Sequence, residues 1–198
     1  MDGKKGNMIL WLIAGAVGLM IGASVVIYQA NLSRAELPVI GAVTPFEFVE
    51  RNGRPFGQEE MKGKITVVNF FFTTCPGPCP RMNAQVAELY KLYAASDRVQ
   101  FVSVSVDPDR DSLAALQEYA VKYGVRDRRW LFLRGPIDDV HRLSEQVFLL
   151  GGEMPTMHST KLVLVDGQTQ IRGYYSSEEP ASLRILQAHI RELVKELK

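Results

Sequence analysis

Residues 65–72 read ITVVNFFF, and the next eight residues, 73–80, read TTCPGPCP. A short, almost continuous run of β-branched and aromatic residues predicts a strand that is buried on both faces, as in a parallel or mixed sheet covered by helices. The chain has only two cysteines, Cys75 and Cys79, and both lie in the second stretch. We therefore expect a dithiol at the end of a central, buried strand.

The flanking sequence alternates between strand and helix patterns. Before the buried run, we predict a short strand at Phe46 and Phe48 with a hairpin turn at Asn52-Gly53. After the cysteines, we predict a helix carrying Met82 to Tyr93, a strand over 99–106, a helix capped by Asp109 or Asp111, and a strand over 130–133. A helix over 137–148 follows, then strands over 161–165 and 170–175 joined by Asp166-Gly167, and a last helix opened by Pro180. The order β-α-β-α-β-α-β-β-α predicts an α/β sandwich with a mixed sheet. A dithiol that follows a central strand and opens a helix is the thioredoxin arrangement, so we predict a thioredoxin-like domain over residues 46–198.

The N-terminal segment has a different character. Residues 8–28 carry no charge and are long enough to span a bilayer core as one transmembrane helix. Lys4 and Lys5 precede them, so we expect residues 1–7 in the cytoplasm and the remainder outside, with a linker over 29–45. A cleaved signal peptide with its site at Gly22-Ala23-Ser24 is the alternative. A lipoprotein anchor is not expected because no cysteine lies near the run.

The charge balance and the number of cysteines exclude some classes of function. The chain has 23 basic and 22 acidic residues, for a net charge of +1, and no basic block. This balance argues against nucleic-acid binding. Two cysteines four residues apart are too few and too close for a structural disulfide framework, so they indicate a redox pair or a soft-metal site.

The thiols suggest a metal if a third ligand is available. His158 lies in a loop just before a predicted strand, a place that packs against the cysteine loop in a thioredoxin fold. Two thiolates and an imidazole suit Cu(I), and Cu(II) with a further ligand, whereas structural zinc prefers four protein ligands.

Other residues of the same chemical types have less favourable positions. His141 and His189 fall in helices and are expected at the surface or at a rim. Met82 is expected in the core, and Met157 is a weaker candidate ligand, as is Met154. Asp107 and Asp109 form a possible carboxylate site, but a turn and a helix cap explain them better.

Several segments in order resemble the Sco/SenC family of copper-binding oxidase assembly proteins. They are the N-terminal anchor, Lys62-Gly63-Lys64, the Cys75-Pro76-x-x-Cys79-Pro80 loop, residues 105–111 (SVDPDRD), and His158-Ser159 ahead of residues 164–167 (LVDG). The resemblance covers residues 40–197. It implies a thioredoxin fold, copper bound by Cys75, Cys79 and His158, and a role in maturing the CuA centre of cytochrome c oxidase. Family members often carry Asp where this chain has Gly77 and an aliphatic residue where it has Pro78.

The sequence is compatible with three functions. The first is a copper metallochaperone whose partners are the copper-bearing subunit of cytochrome c oxidase and other periplasmic copper carriers or thiol reductants. The second is a thiol–disulfide reductase, in which Cys75 attacks a target disulfide and Cys79 resolves it. The third is a peroxiredoxin-like protein. The compact N-terminus favours a single-pass protein of the bacterial inner membrane, with its C-terminal domain in the periplasm, over one of the mitochondrial inner membrane.

Overall fold

The structure is a computed structural model that describes residues 15–24, 37–151 and 159–197. The chain divides into two compact units, Met1–Leu37 and Pro38–Lys198. In the first unit, residues 15–24 are helical and their side chains are exposed. The remaining residues of the predicted anchor (8–28) and the predicted cytoplasmic segment (1–7) lie outside the described residues. Within the part of the chain that is described, no helix combines the length and hydropathy needed to cross a bilayer.

The second unit is built on one eight-stranded mixed sheet. Its strands are β1 (Gly41–Ala42), β2 (Glu47–Glu50), β3 (Pro55–Gly57), β4 (Ile65–Phe71), β5 (Val99–Ser105), β6 (Trp130–Arg134), β7 (Lys161–Val165) and β8 (Gln170–Ser176). The spatial order is β1-β8-β7-β4-β5-β6-β2-β3. Strands β4, β5 and β6 are parallel, and the other neighbours pair antiparallel.

The prediction of a fully buried central strand is confirmed. Every residue of β4 and β5 is buried, which is possible only because both faces of the sheet are covered. The helices are α1 (Cys79–Leu92), α2 (Leu113–Lys122), α3 (Ile137–His141) and α4 (Pro180–Glu196). From β4 onward the element order is β-α-β-α-β-α-β-β-α, as the sequence predicts, and the mixed thioredoxin-like α/β fold is confirmed.

The two faces of the sheet are packed by different elements. On one face, Val68 and Phe70 of β4 share a core cluster with Val140, Leu143 and Phe148, which lie in and just after α3. The opposite face is rich in aromatic contacts between the sheet and the helices α1 and α2. They include Phe71–Tyr119, Tyr119–Phe132 and Tyr90–Trp130. The cysteine helix α1 therefore lies on the aromatic face.

The structure differs from the predicted elements in three places. The cap of α2 is Ser112, whose side chain accepts a hydrogen bond from the Ala115 N–H, so the prediction that Asp109 or Asp111 caps this helix is wrong. The helix predicted over 137–148 is α-helical only in α3 and continues as a π-helical stretch, Arg142–Val147. Strand β1 lies within the segment 29–45 that the sequence predicts as a linker, and it pairs with β8.

Candidate metal centre

The two cysteines occupy the turn between β4 and α1. Strand β4 ends at Phe71, and Cys79 is the first residue of α1. The Cys75 N–H donates to the Phe72 carbonyl at 3.3 Å, which folds the loop back over the end of the strand. Cys75 is 7% exposed and Cys79 is fully buried, and the two are not joined as a disulfide. The structure thus brings the predicted dithiol together at one edge of the sheet, with Cys75 nearer to solvent.

The environment of Cys79 favours the neutral thiol. Burial raises the pKa of Cys79 well above its usual value, and a hydrogen bond with Cys75 adds to the rise, whereas a backbone hydrogen bond at Phe72 opposes it. The turn offers little compensation to an anion. Pro78 caps α1 without a side-chain hydrogen bond, and Pro80 occupies the first turn, so neither contributes an N–H group.

Gly77 lies at the exposed side of the loop. A Cβ atom added to Gly77 would stand 4.0 Å from the Cys75 sulfur, which is an ordinary van der Waals contact. Pro76 and Gly77 are exposed. Position 77 is therefore an exposed place in direct contact range of the less buried thiol.

A buried carboxylate holds the beginning of the loop. Asp111 is fully buried and accepts hydrogen bonds from the Thr73 N–H at 3.2 Å and from the Thr73 hydroxyl at 2.5 Å. It also accepts from the Ser105 hydroxyl at 2.5 Å. This role was not predicted from the sequence, in which Asp111 is a candidate helix cap. No local signal could have revealed it, because Thr73 is 38 residues away.

A second polar network runs beneath α1. Asn69 interrupts the apolar residues of β4, and its side chain donates to Asn83 of α1 at 2.9 Å. Asn83 donates in turn to the Tyr119 hydroxyl at 3.0 Å, and Ser103 donates to Asn69 at 2.7 Å. These buried groups satisfy one another and fix the helix that begins with Cys79 against the sheet. The polar residue inside an apolar strand was the available sequence signal.

The third predicted ligand, His158, lies outside the described residues, as do Met154 and Met157. His141 is half-buried at the end of α3. His189 is 2.6 Å from the Tyr175 hydroxyl through Nδ1, and burial lowers its pKa. Met82 is buried in the core, as predicted.

The remaining acidic candidates do not form a metal centre. Asp107 forms an ion pair with Arg110 at 3.2 Å, and Asp109 is exposed. Among the residues that the structure describes, no group of three or more His, Cys, Asp or Glu side chains is placed to hold a metal ion. The thiols alone supply two soft donors on one turn, which fits Cu(I) and needs one further ligand from elsewhere.

Comparisons with known proteins agree with this architecture. The family model described as SCO1/SenC matches residues 38–195. A Stutzerimonas stutzeri protein named for copper binding is 28% identical over 180 residues, which covers 86% of each chain.

Two solved structures are similar over most of the second unit. A SCO1/SenC family lipoprotein from Bacillus anthracis is 30% identical with a TM-score of 0.74, and the match covers 80% of this chain and 98% of that one. BsSco, described as a Sco family member with a disulfide switch, is 25% identical with a TM-score of 0.71, over 79% and 95% of the two chains. The family match spans the whole sheet, the dithiol turn and the last helix, and the chain therefore belongs to the SCO1/SenC family.

Proposed function

We propose that this protein is a membrane-anchored copper metallochaperone that helps to assemble the CuA centre of cytochrome c oxidase. In this proposal Cys75, Cys79 and His158 hold copper, and residues 8–28 anchor the chain in a bacterial inner membrane with residues 38–198 on the periplasmic side. The observation that carries the proposal is the pair of thiols held on one turn and not joined as a disulfide, both of them buried and Cys75 slightly less so than Cys79. Family membership and a relative named for copper binding support it.

The thiol environment suits a soft, low-coordinate cation. Copper binding requires thiolates, and burial favours the neutral form of Cys79, so the metal must displace a proton from a group that holds it firmly. We therefore expect copper affinity to rise with pH. Because Cys79 is fully buried, we expect protein side chains rather than water to complete the coordination sphere on its side of the ion.

The difference in exposure between the two thiols suggests how the cargo leaves. Cys75 is the less buried residue, at 7% exposed against 0% for Cys79, and the exposed Gly77 lies beside its sulfur. A thiol of the oxidase copper-bearing subunit would meet Cys75 first, so ligand exchange begins there while Cys79 and His158 retain the ion. BsSco, a member of the Sco family of cytochrome c oxidase assembly proteins, supports this choice of partner.

The test is an anaerobic Cu(I) competition titration of the reduced full-length chain in detergent. We expect one copper per chain, with an affinity at least tenfold lower in His158→Ala and at least a hundredfold lower in Cys79→Ser, which correspond to about 1.4 and 2.7 kcal/mol. His141→Ala is the matched control and should bind as the unmodified chain does. Failure of the reduced chain to hold one copper would contradict the proposal, and equal binding by His158→Ala would remove His158 from the ligand set.

A thiol–disulfide reductase is the second candidate. Two thiols close enough to share a hydrogen bond favour it, and a disulfide switch is described for BsSco. Cys75, the less buried of the two thiols, would attack a target disulfide, and Cys79 would resolve the mixed disulfide. Cys79→Ser should then trap a mixed disulfide with an oxidised CuA-domain fragment, whereas Cys75→Ser should not. A Cys79→Ser chain that never forms this adduct would count against the reductase.

A further inference from the structure

Asp111 is a buried carboxylate whose partners are neutral donors. Its exposed fraction is 0%, and among the ion pairs of the described residues none involves it. The Thr73 N–H and both hydroxyls, of Thr73 and Ser105, donate to its two oxygens. A buried charge needs strong compensation, and hydrogen bonds to a carboxylate are worth roughly 1.5 to 3 kcal/mol each.

The partners of Asp111 lie on two different strands and their loops. Ser105 is the last residue of β5, and Thr73 lies two residues beyond the end of β4 and two residues before Cys75. The backbone N–H of Asp111 donates to the Asp107 carbonyl at 2.9 Å, so the carboxylate is itself held by a turn. Asp111 thus joins the beginning of the cysteine loop to the neighbouring strand.

We propose that Asp111 is a positioning residue for the Cys75–Cys79 dithiol. The other end of the loop is fixed because Cys79 begins α1, and two prolines, Pro76 and Pro78, stiffen the residues between. With Thr73 held by Asp111, both ends are defined and the two sulfurs keep a fixed separation. The inference rests on the two thiols and not on copper binding, so it survives if the metallochaperone proposal fails.

Two substitutions of Asp111 distinguish its role in holding Thr73 from the effect of its negative charge. Asp111→Ala removes the carboxylate that accepts from the Thr73 N–H and from the Thr73 and Ser105 hydroxyls. Asp111→Asn keeps one oxygen for Thr73, and its NH₂ group can donate to the Ser105 hydroxyl oxygen, which already accepts from the Asp107 N–H at 3.1 Å. The Asn variant therefore keeps most of the attachment and loses the charge.

The readout is the equilibrium between the dithiol and its disulfide in a glutathione buffer. Each turnover breaks the two S–H bonds and forms the Cys75–Cys79 S–S bond, while one glutathione disulfide accepts the two electrons and two protons to give two glutathione thiols. The equilibrium constant measures how well the chain holds the sulfurs together. No metal is present, so the result does not depend on copper.

We expect Asp111→Ala to lower this equilibrium constant about tenfold, which makes the midpoint potential about 30 mV more positive. Asp111→Asn should change it less than threefold. Thr73→Val, which removes only the hydroxyl donor, should move the constant in the same direction as Asp111→Ala by a smaller factor. Asp109→Asn, exposed in the same loop, is the matched control and should leave it unchanged.

Near-ultraviolet circular dichroism at the same temperature shows whether each variant is folded. A folded Asp111→Ala chain whose dithiol equilibrium matches the unmodified chain would overturn the proposal. If Asp111→Ala does not fold, Asp111→Asn and Thr73→Val decide. A larger change in Asp111→Asn than in Thr73→Val would show that the charge matters rather than the attachment, and would also overturn it.

Discussion

Two buried aspartates lie at opposite ends of the sheet's central strands, and they bond to very different partners. Asp166 follows β7, is 2% exposed, and forms an ion pair with Arg172 at 2.7 Å. Its other oxygen accepts from the N–H groups of Gln168 and Gln170, so all its partners lie within six residues. Asp111 has no cation among the described ion pairs and bonds to Thr73, 38 residues away.

Asp166 therefore stabilises a local turn, whereas Asp111 connects segments that are distant along the chain. Asp166 closes the β7–β8 turn with local bonds, at the edge of the sheet away from the cysteines, because β7 runs antiparallel to β4. Asp111 connects two loops at the edge that carries the dithiol. We infer that substitution of Asp166 affects stability alone, whereas substitution of Asp111 affects both stability and the thiols.

The largest expected effect belongs to Asp166. Asp166→Ala leaves the buried Arg172 guanidinium without its carboxylate, and removing one partner of a buried ion pair costs roughly 3 to 5 kcal/mol. Urea unfolding should show this loss, while the glutathione equilibrium of Cys75 and Cys79 should remain unchanged in the folded variant. Gln168→Ala, which alters an exposed side chain in the same turn, is the control. A shifted dithiol equilibrium in Asp166→Ala would contradict the inference that Asp166 affects stability alone.

Asp111→Ala should destabilise the fold somewhat less. Two hydroxyls and one backbone N–H lose a charged acceptor, but the hydroxyls can rotate toward other oxygens, so we expect a loss of about 2 to 3 kcal/mol in the free energy of unfolding. In a double-mutant cycle with Thr73→Val, the two losses should be non-additive by about 1 kcal/mol. Additive losses would mean that the Thr73 hydroxyl does not bond to Asp111 in solution.

A hydrogen bond that involves no carboxylate serves as a comparison for the two aspartates. Tyr175 bonds to His189 at 2.6 Å, and Tyr175→Phe should cost about 1 to 1.5 kcal/mol at neutral pH. Burial raises the pKa of Tyr175 to about 12, so its contribution is complete below pH 10, the value for an exposed tyrosine, and is lost as pH rises from 10 through 12.

Urea unfolding at pH 7, 10 and 11.5 checks this prediction. The alkaline loss of stability should be smaller in Tyr175→Phe than in the unmodified chain, because only the protonated phenol is favoured by burial. Gln170→Ala, in the same strand, should keep the full alkaline loss. An identical pH dependence in both variants would show that Tyr175 does not titrate as its burial requires.

The smallest effect tests the corrected cap of α2. Ser112→Ala removes the hydrogen bond to the Ala115 N–H and should cost about 1 kcal/mol. Asp109→Ala should cost less than about 0.5 kcal/mol because this carboxylate is exposed. Thermal unfolding compares the two variants directly. A greater loss in Asp109→Ala would restore Asp109 as the cap.

Patterns along the chain were sufficient for the order of elements. The run 65–72 predicts β4 because a strand covered on both faces must be apolar at every position, and the Asn52-Gly53 pair predicts the β2–β3 turn, where Gly53 has a φ of +78°. The cap of α2 was harder to predict, because Asp109, Asp111 and Ser112 are all good cap residues and lie within four positions. Only the fold shows that Asp111 points inward to Thr73.

Residue patterns were enough to predict the α/β order, the dithiol at the end of a buried strand, and the resemblance to one family, because each depends on residues close together along the chain. The unequal burial of Cys75 and Cys79, the attachment of Thr73 to Asp111, and the polar network from Asn69 to Tyr119 are visible only in the folded chain. These features depend on groups brought together from different strands, and no local pattern specifies which distant donor meets which acceptor.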